Sequence, residues 1–403
     1  VKKNIQDLKV AVVYDHLLTR FGGAEFVLET IIDSIKNVTL FTTVHDEQDG
    51  FQTTAQVITS PLQKYLPFVK KREVLDLLTP ITIEQFNFSE FDIVISITSS
   101  AVKGIITTPK QLHICYLLTP TRYLYHDAEE LQNSHPFFSL PLLKTVMKWV
   151  LNYLRWWDQV AAWRPDAVIA ISNVVAKRCE QFYSRNVDEI LYPPVRIPQK
   201  NKLKSPTISD SFVLCLSRLM PYKRLDLAIA AAQMAKKLLV LAGDGPEMLN
   251  LQKLTRDAAI VRQPEQSIAS LFAAAKLQKK SVLFIGKCSK IEKEELLTSC
   301  QAVLMPGIED FGIAAVEATA FGKPAILSDK SGAAEVLQHG VHALHVKDQT
   351  AEAYCHALQE LEEKRFDSQK LLTNAARFSQ EQFVRKFHNI CFAISTEHST
   401  IVS

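Results

Sequence analysis

From Leu8 onward, short unbroken apolar runs alternate with longer stretches in which apolar positions recur every three or four residues. The unbroken runs suit strands covered on both faces, and the three-to-four spacing suits helices with one covered face. In the first half this pattern predicts strands near Lys9 to Tyr14, Val38 to Thr42, Phe91 to Ile97, Leu112 to Leu117 and Ala167 to Ile171. Helices are expected near Gly23 to Ile35, Pro61 to Leu78 and Val174 to Tyr183. A second series begins at Phe212, with F-V-L-C-L-S, L-L-V-L-A-G, S-V-L-F-I-G, Q-A-V-L-M and P-A-I-L-S as its strands, helices between them, and a helix from Tyr222. Such alternation is the mark of an α/β fold with parallel sheets wound on both faces. Between the two series lies a stretch rich in proline and charge with neither period, which reads as a linker. The expected organisation is therefore a domain over 1–195, a linker over 196–210, and a second domain over 211–376. A final helix, 377–394, is expected to pack back on the first domain. Ligands of open sheets lie beyond the carboxyl ends of the strands, which predicts a site in a cleft between the two domains.

Composition narrows the function classes. A chain of 403 residues is long for one domain, and 47% hydrophobic residues suffice for two cores. The net charge of +3 offers no general footprint for nucleic acid. Seven scattered cysteines without C-x-x-C spacing fit reduced thiols. With no signal-like N-terminus and no apolar run of spanning length, the expected location is the cytoplasm.

The candidate chemistry lies in loops that follow strands. Pro306 to Glu317, P-G-I-E-D-F-G-I-A-A-V-E, turns from a strand into a helix that Gly322 ends. The N–H groups of Phe311, Gly312 and Ile313 mark the helix start, where an oxyanion binds readily. Glu309 and Glu317 flank that turn, placed to engage two parts of one extended ligand; the plainer alternative is an acid beside a helix dipole and a solvated helix residue. Arg218, Lys223 and Arg224 in S-R-L-M-P-Y-K-R oppose the dipole of the helix they precede, at a cost of about 0.3–1 kcal/mol each, which a bound anion would offset. Gly243 and Gly245 in G-D-G-P-E permit close backbone approach beside Glu247, or are an ordinary turn and cap. In the first half, Gly22 and Gly23 of R-F-G-G-A-E follow the first strand, as a phosphate-binding turn would. The spacing is not G-x-G-x-x-G, and no acid closes a second strand, so a dinucleotide site is poorly supported.

Taken in order, these segments resemble the retaining glycosyltransferases of the GT-B fold, of the glycogen-synthase and mannosyltransferase type (GT4), in bacterial polysaccharide assembly. The likeness runs from Y-D-H-L-L-T-R-F-G-G-A-E at 14 through L-L-T-P-T-R-Y-L-Y-H at 117, S-R-L-M-P-Y-K-R at 217 and G-D-G-P-E at 243 to E-D-F-G-I-A-A-V-E-A at 309, which matches the family's E-x7-E signature. The resemblance implies two Rossmann-like domains facing across a cleft. It implies transfer of a hexose, mannose from GDP-mannose as first choice, to a saccharide or polyprenyl-linked acceptor. It also implies that Arg218 and Lys223 neutralise the donor diphosphate, that Glu309 holds the donor sugar and that Glu317 holds the ribose. Gly22, Gly23, Gly243, Gly245, Glu247, Lys287 and the amides of Phe311, Gly312 and Ile313 complete the donor side. His16, Thr119, Arg122 and His126 stand on the acceptor side. No cofactor and no metal are expected, since fixed cations serve the leaving group and no Asp-x-Asp is present. A sugar-nucleotide-binding partner protein without transfer activity is the alternative.

Two departures from the family pattern stand out. Leu118 occupies the place where many relatives carry a histidine, with His16, His113 or His126 as possible stand-ins. The stretch from Asp257 to Lys280 reads as an insertion near the region that recognises the base. Two further segments suggest a partner surface: F-F-S-L-P-L-L-K-T-V-M-K-W-V-L-N-Y-L-R-W-W at 137–157 and K-Y-L-P-F-V-K-K-R at 64–72 mix aromatic and basic residues, as a peripheral contact with an anionic inner membrane face would. The competing reading is a helix packed on its own domain. His339, His342 and His345 lack a carboxylate or cysteine beside them, so no metal site is expected there.

Overall fold

The computed structural model describes residues 5–19, 22–48, 50–65, 72–125, 141–198 and 208–402. It divides into two compact units, residues 1–194 with 381–403, and residues 195–380. Most of the 196–210 stretch lies outside the described residues.

In the first unit the described strands are β1 (Val10–Tyr14), β2 (Val38–Thr42), β3 (Gln56–Thr59), β4 (Ile93–Thr98), β5 (Leu112–Leu117), β6 (Ala167–Ala170) and β7 (Glu189–Ile190), in the spatial order 3-2-1-4-5-6-7. All neighbours are parallel, with Val12 opposite Leu40 on one side and Ile95 on the other. Every residue of β1, β4 and β5 is buried, as strands covered on both faces require. Phe41 anchors one face among Phe86, Phe88 and Phe91, with ring centroids 5.3, 4.9 and 5.5 Å away. β3 is absent from the sequence reading. Its Q-V-I-T is short and half-exposed, so it carries no unbroken apolar run. The helix expected over Pro61 to Leu78 is instead a 3-10 turn, Pro61–Tyr65, and a helix, Arg72–Ile83, that continues through Pro80 because Thr79 and Ile83 still reach the core.

Two polar clusters tie the strand-end loops of this unit. Asp15, just past β1, accepts the Thr98 hydroxyl (3.0 and 3.1 Å) and the N–H groups of Ser99, Ala101 and Val102 (2.9, 3.1 and 3.1 Å). One carboxylate thereby folds the loop after β4. Next to it Lys103, almost fully buried, donates to the Ser100 carbonyl (2.6 Å), to Thr121 Oγ1 (3.2 Å) and to Asp158 of the helix Pro141–Ala161. Asp158 also accepts the hydroxyls of Thr121 (2.9 Å) and Tyr183 (2.8 Å). The helix Gln380–Val402 belongs to this unit: Phe383 meets Tyr116 edge-on at 5.9 Å, and Ser34 Oγ and His388 Nε2 lie 3.1 Å apart.

The second unit repeats the plan. Its strands are β8 (Phe212–Leu216), β9 (Leu238–Ala242), β10 (Ala259–Val261), β11 (Val282–Gly286), β12 (Ala302–Met305), β13 (Ala325–Ser328) and β14 (Ala343–Val346), all parallel, in the order 10-11-9-8-12-13-14. The helix expected from Tyr222 starts at Leu225, because Arg224 adopts a left-handed backbone (φ 50°) after the 3-10 turn Pro221–Lys223. The stretch from Asp257 to Lys280 is no loose insertion. It supplies edge strand β10 and the helix Ile268–Leu277, whose Ile268, Leu271, Phe272 and Ala275 are buried, with Phe272 against Phe212 at 5.1 Å. It is one more strand-helix repeat of the sheet.

Two stability predictions follow from the buried polar groups of the first unit. His113, second in β5, is fully buried with Nε2 2.8 Å from Ser96 Oγ and no partner on Nδ1, and burial beside Arg185 and Arg164 pushes its pKa down to about 3. The folded ring stays neutral while an unfolded one, near 6.5, takes a proton. Its contribution is therefore whole above pH 6.5 and is lost as pH falls from there toward 3, by up to about 1.4 kcal/mol per pH unit. His113→Gln should flatten the decline of the urea midpoint between about pH 7 and about pH 5 relative to wild type; parallel profiles contradict it. Lys103→Met strands the Asp158 carboxylate, and about 3–5 kcal/mol should disappear from the denaturant-unfolding free energy. A loss below about 1 kcal/mol would mean that the pair is not what holds these loops.

Candidate active site

In a doubly wound sheet the crevice opens where the strand order turns back, between the two strands whose connections leave in opposite directions. In the second unit that point lies between β8 and β12. The loops that leave those strands carry Arg218 to Arg224 and Gly307 to Gly312, and the loop after β9 carries Gly243 to Glu247. Three segments remote in sequence are thus neighbours.

They are packed backbone against backbone. A Cβ on Gly307 would lie 2.4 Å from the Tyr222 carbonyl and 2.7 Å from Lys223 Cα, so only glycine lets the two loops approach this closely. Leu219 N–H donates to the Asp244 carbonyl (3.0 Å) and Glu247 N–H to the Leu219 carbonyl (3.1 Å), which joins the third loop. Across this junction Lys223 Nζ donates to both oxygens of Glu309, at 2.5 Å each. Both side chains are largely covered, 14% and 11% exposed, so water screens the pair weakly. Glu309 is held in turn by its backbone: its N–H donates to Ser331 Oγ (3.1 Å), and its carbonyl accepts from Gly332 N–H (3.0 Å). Ser331 Oγ also donates to the Gly307 carbonyl (3.1 Å), and Tyr354 OH to that of Pro306 (2.9 Å).

Gly312, at φ 97°, caps the helix Ile313–Ala320, and the N–H groups of the first turn have no acceptor within the helix by geometry. Phe311 is buried. Glu317, on the same helix, is buried and meets Lys293 Nζ at 2.6 Å, so it is not a solvated residue. Lys293 comes from the helix Lys290–Ser299, which Ser289 and Glu292 cap reciprocally. Arg218 is exposed beyond β8, and its guanidinium has no ion-pair partner among the described residues. Lys287 is exposed beyond β11, while Glu247 accepts from Asn250 Nδ2 (3.0 Å). Arg224 pairs with its neighbour Asp226 at 2.9 Å. Cation and carboxylate therefore alternate around the loops: Arg218 open, Lys223 on Glu309, Lys293 on Glu317. An anion arriving at Lys223 would compete with Glu309 for the ammonium, and the carboxylate so released is an acceptor for hydroxyl groups.

In the first unit the equivalent turning point lies between β1 and β4. His16 sits there, buried, its Nδ1 2.6 Å from Thr43 Oγ1. Thr43 already donates to the Asp15 carbonyl (2.6 Å), so its oxygen is left to accept from His16 Nδ1–H. Gly22 precedes the helix Gly23–Asp33 in an extended conformation, and Glu25, which accepts from Tyr14 OH (3.1 Å), folds back over it: an added Cβ would lie 2.0 Å from Glu25 Oε2. Thr119 is buried after β5, and Arg122 opens the 3-10 turn Arg122–Leu124. His126 lies outside the described residues, as does Arg20. His113 is at the start of β5, away from the strand-end loops, and does not stand in for a histidine at position 118. His339 and His342 accept backbone N–H groups of His345 and Gln338 (3.0 and 3.1 Å), and His345 Nε2 contacts the Leu337 carbonyl (2.7 Å), so the three shape one turn. Ser331 and Lys293, the partners of the two glutamates, escaped the sequence reading; S-G at 331 after an apolar run was the available signal for the first.

Residues 198–378 match the family model described as glycosyl transferases group 1. Among curated proteins, the N-acetyl-alpha-D-glucosaminyl L-malate synthase of Bacillus anthracis is 27% identical over 43% of this chain and 44% of its own length. The O-antigen chain mannosyltransferase C of Escherichia coli is 25% identical over 44% of each. The GDP-mannose-dependent alpha-(1-6)-phosphatidylinositol monomannoside mannosyltransferase of Mycobacterium tuberculosis is 27% identical over 37% of each. The chain thus spans less than half the length of the curated relatives it matches. Solved structures match almost end to end. A lipopolysaccharide outer core galactosyltransferase in its apo form shares 16% identity at a TM-score of 0.60, over 95% of this chain and 99% of that one. The sucrose-phosphate synthase of Thermosynechococcus elongatus shares 15% at 0.63, over 96% and 100%. The Anabaena protein HepE, in complex with UDP-glucose, shares 18% at 0.56, over 97% and 99%. At these identities the likeness is one of fold, and it bears out two doubly wound domains of the GT-B class. The family match is confined to residues 198–378, the bulk of the second unit, and that part of the chain is similar to the group 1 glycosyl transferases.

Proposed function

We propose that this protein moves a hexose from a nucleoside diphosphate sugar to a saccharide acceptor, with retention at the anomeric carbon and without a metal. The carrying observation is the Lys223–Glu309 pair, seated at the turning point of a sheet within a group 1 glycosyl transferase segment. Lys223 and Arg218 take the donor diphosphate, with the amides of Gly312 and Ile313 and the backbone at Gly243 and Gly245 beside them. As the diphosphate draws Lys223 away, Glu309 turns to hydroxyls of the sugar. Glu317, positioned by Lys293, takes the ribose. Cleavage of the glycosyl bond builds positive charge on the ring and negative charge on the leaving group, so ammonium and guanidinium groups fixed at the diphosphate stabilise the transition state more than the ground state. Mannose from GDP-mannose remains the first candidate, supported by the mannosyltransferases among the relatives; the UDP-glucose complex of HepE makes the uridine donors the necessary comparison. A polyprenyl-linked saccharide is the acceptor class we favour, met by Thr119, Arg122 and His16 of the first unit.

A second reading, donor binding without transfer, is favoured by one observation. Leu118 is buried just past β5, at the position where the family resemblance leads one to expect a histidine. Release of nucleoside diphosphate with and without acceptor separates the two.

Two outcomes are expected. In a panel of nucleoside diphosphate sugars one donor should raise the melting temperature, by about 2.7 kcal/mol of stabilisation at a hundredfold excess over its Kd, and Lys223→Ala should remove that shift; no shift with any donor sinks the donor site. Glu309→Gln keeps the shape of a buried residue, where Glu309→Ala would open a gap beside Lys223. It should lower turnover by about a hundredfold or more with the melting temperature retained, and EDTA should leave wild-type turnover unchanged. Turnover near wild type in the glutamine variant removes Glu309 from the chemistry.

A further inference from the structure

The helix Pro141–Ala161 of the first unit has two apolar faces. Leu151, Leu154, Trp157 and Ala161 are buried, as one packed face requires. The other face carries Val146, Trp149, Tyr153, Trp156 and Val160, followed past the helix end by Trp163, and all six are exposed, Trp149 by 74% and Trp156 by 60%. Their spacing of three and four residues aligns them in one stripe, about 21 Å long from Val146 to Val160 at 1.5 Å per residue. The neighbouring helix Arg72–Ile83 adds exposed Leu78 and Ile81. That helix lies alongside, since Leu77 joins the cluster of Leu151 and Leu154, and Trp157 Nε1 donates to Glu84 just beyond its end (2.9 Å).

Charge says what covers this stripe. The helix carries Lys144, Lys148 and Arg155 against one acid, Asp158, and that acid is turned inward onto Lys103. Its outer face therefore presents no carboxylate, and Lys148 is exposed beside Trp149. Of the basic segment 64–72, residues 66–71 lie outside the described residues. Tryptophan and tyrosine, with an apolar ring and one polar N–H or O–H, favour the level of lipid headgroups, and basic residues next to them favour anionic ones. A coiled coil with a second copy would place small or branched aliphatic residues at these positions, not three tryptophans and a tyrosine. No helix among the described residues is long and apolar enough to cross a membrane, so the geometry is that of an element lying on the surface.

We propose that this stripe seats the protein on an anionic lipid bilayer, with the rings of Trp149, Tyr153 and Trp156 at headgroup depth and Lys148 toward the lipid charges. The inference is independent of sugar transfer, because its readout is lipid binding. The test floats the full chain with vesicles of phosphatidylcholine, with and without phosphatidylglycerol. Wild type should float with the anionic vesicles, release at high salt, and shift its tryptophan emission to the blue. Trp149→Ser with Trp156→Ser should cut the bound fraction about tenfold or more at an unchanged melting temperature, both sites being exposed, and Lys148→Glu should weaken binding to anionic vesicles alone. Failure of wild type to float with either vesicle overturns the proposal, as does a double variant that binds like wild type. A wild-type dimer in sedimentation that the double variant abolishes, without vesicle binding, would assign the stripe to a second copy instead.

Discussion

Lys223 and Glu309 meet because β8 stands between β9 and β12, and the rest of the second unit's chemistry depends on that adjacency. The strand order turns the connections of β8 and β12 to opposite faces, which opens a crevice at their carboxyl ends. Gly307 then brings the two loops to contact distance, and Ser331 braces Glu309 from beyond β13. An ion pair so covered is costly to form unless both partners are fully engaged, and it is weak evidence of stabilisation. Its place at a strand-end crevice suits the exchange that the proposed function requires. Under the proposed function, Glu309 neutralises the ammonium until the donor diphosphate competes for it.

The two units use their polar residues differently at equivalent places. In the first, Asp15 folds the loop after β4, His16 leans on Thr43, and Lys103 is consumed by Asp158, Ser100 and Thr121. These groups hold the loops that Thr119 and Arg122 continue. In the second, Arg218 and Lys287 stay open to solvent and Lys223 is paired with Glu309 across a loop junction. One sheet thus invests its strand-end charges in architecture and the other leaves them able to bind. Under the proposed function, such a division would suit a charged diphosphate donor at the second unit and an acceptor met mainly through neutral hydroxyls at the first.

The fold was legible because strands buried on both faces leave unbroken apolar runs. β1, β2, β5, β8 and β9 announce themselves that way, and β3 and β10, at sheet edges, do not. Asp257 to Lys280 read as an insertion because it exceeds the spacing the family resemblance implies, and its own strand, the three-residue edge strand β10, leaves no apolar run to reveal it. At the site, Lys223, Glu309 and Glu317 were visible as charges beside helix starts, while their partners were not. Ser331 and Lys293 reach the glutamates from β13's loop and from a surface helix, and only strand order brings them close. Local spacing carries no trace of such pairings. His113 was hidden in the opposite sense: its position in an apolar run gave its burial, but the partnerless Nδ1 depends on what β4 and the arginines place around it.

The helix Pro141–Ala161 shows where periodicity stops informing. A three-to-four repeat of apolar residues marks a helix with a covered face, yet here two such repeats run side by side, and only one faces the sheet. The two differ in chemistry rather than in period. The inward repeat is mostly leucine and alanine, with its single acid paired to Lys103, while the outward one is tryptophan, tyrosine and valine beside lysine. Placing Asp158 inward does two things at once: it fastens the helix to the loops that carry Thr121, and it removes the only negative charge that the outer face would otherwise present to an anionic surface. One buried ion pair thereby couples the architecture of the strand-end loops to the charge of the face turned toward solvent.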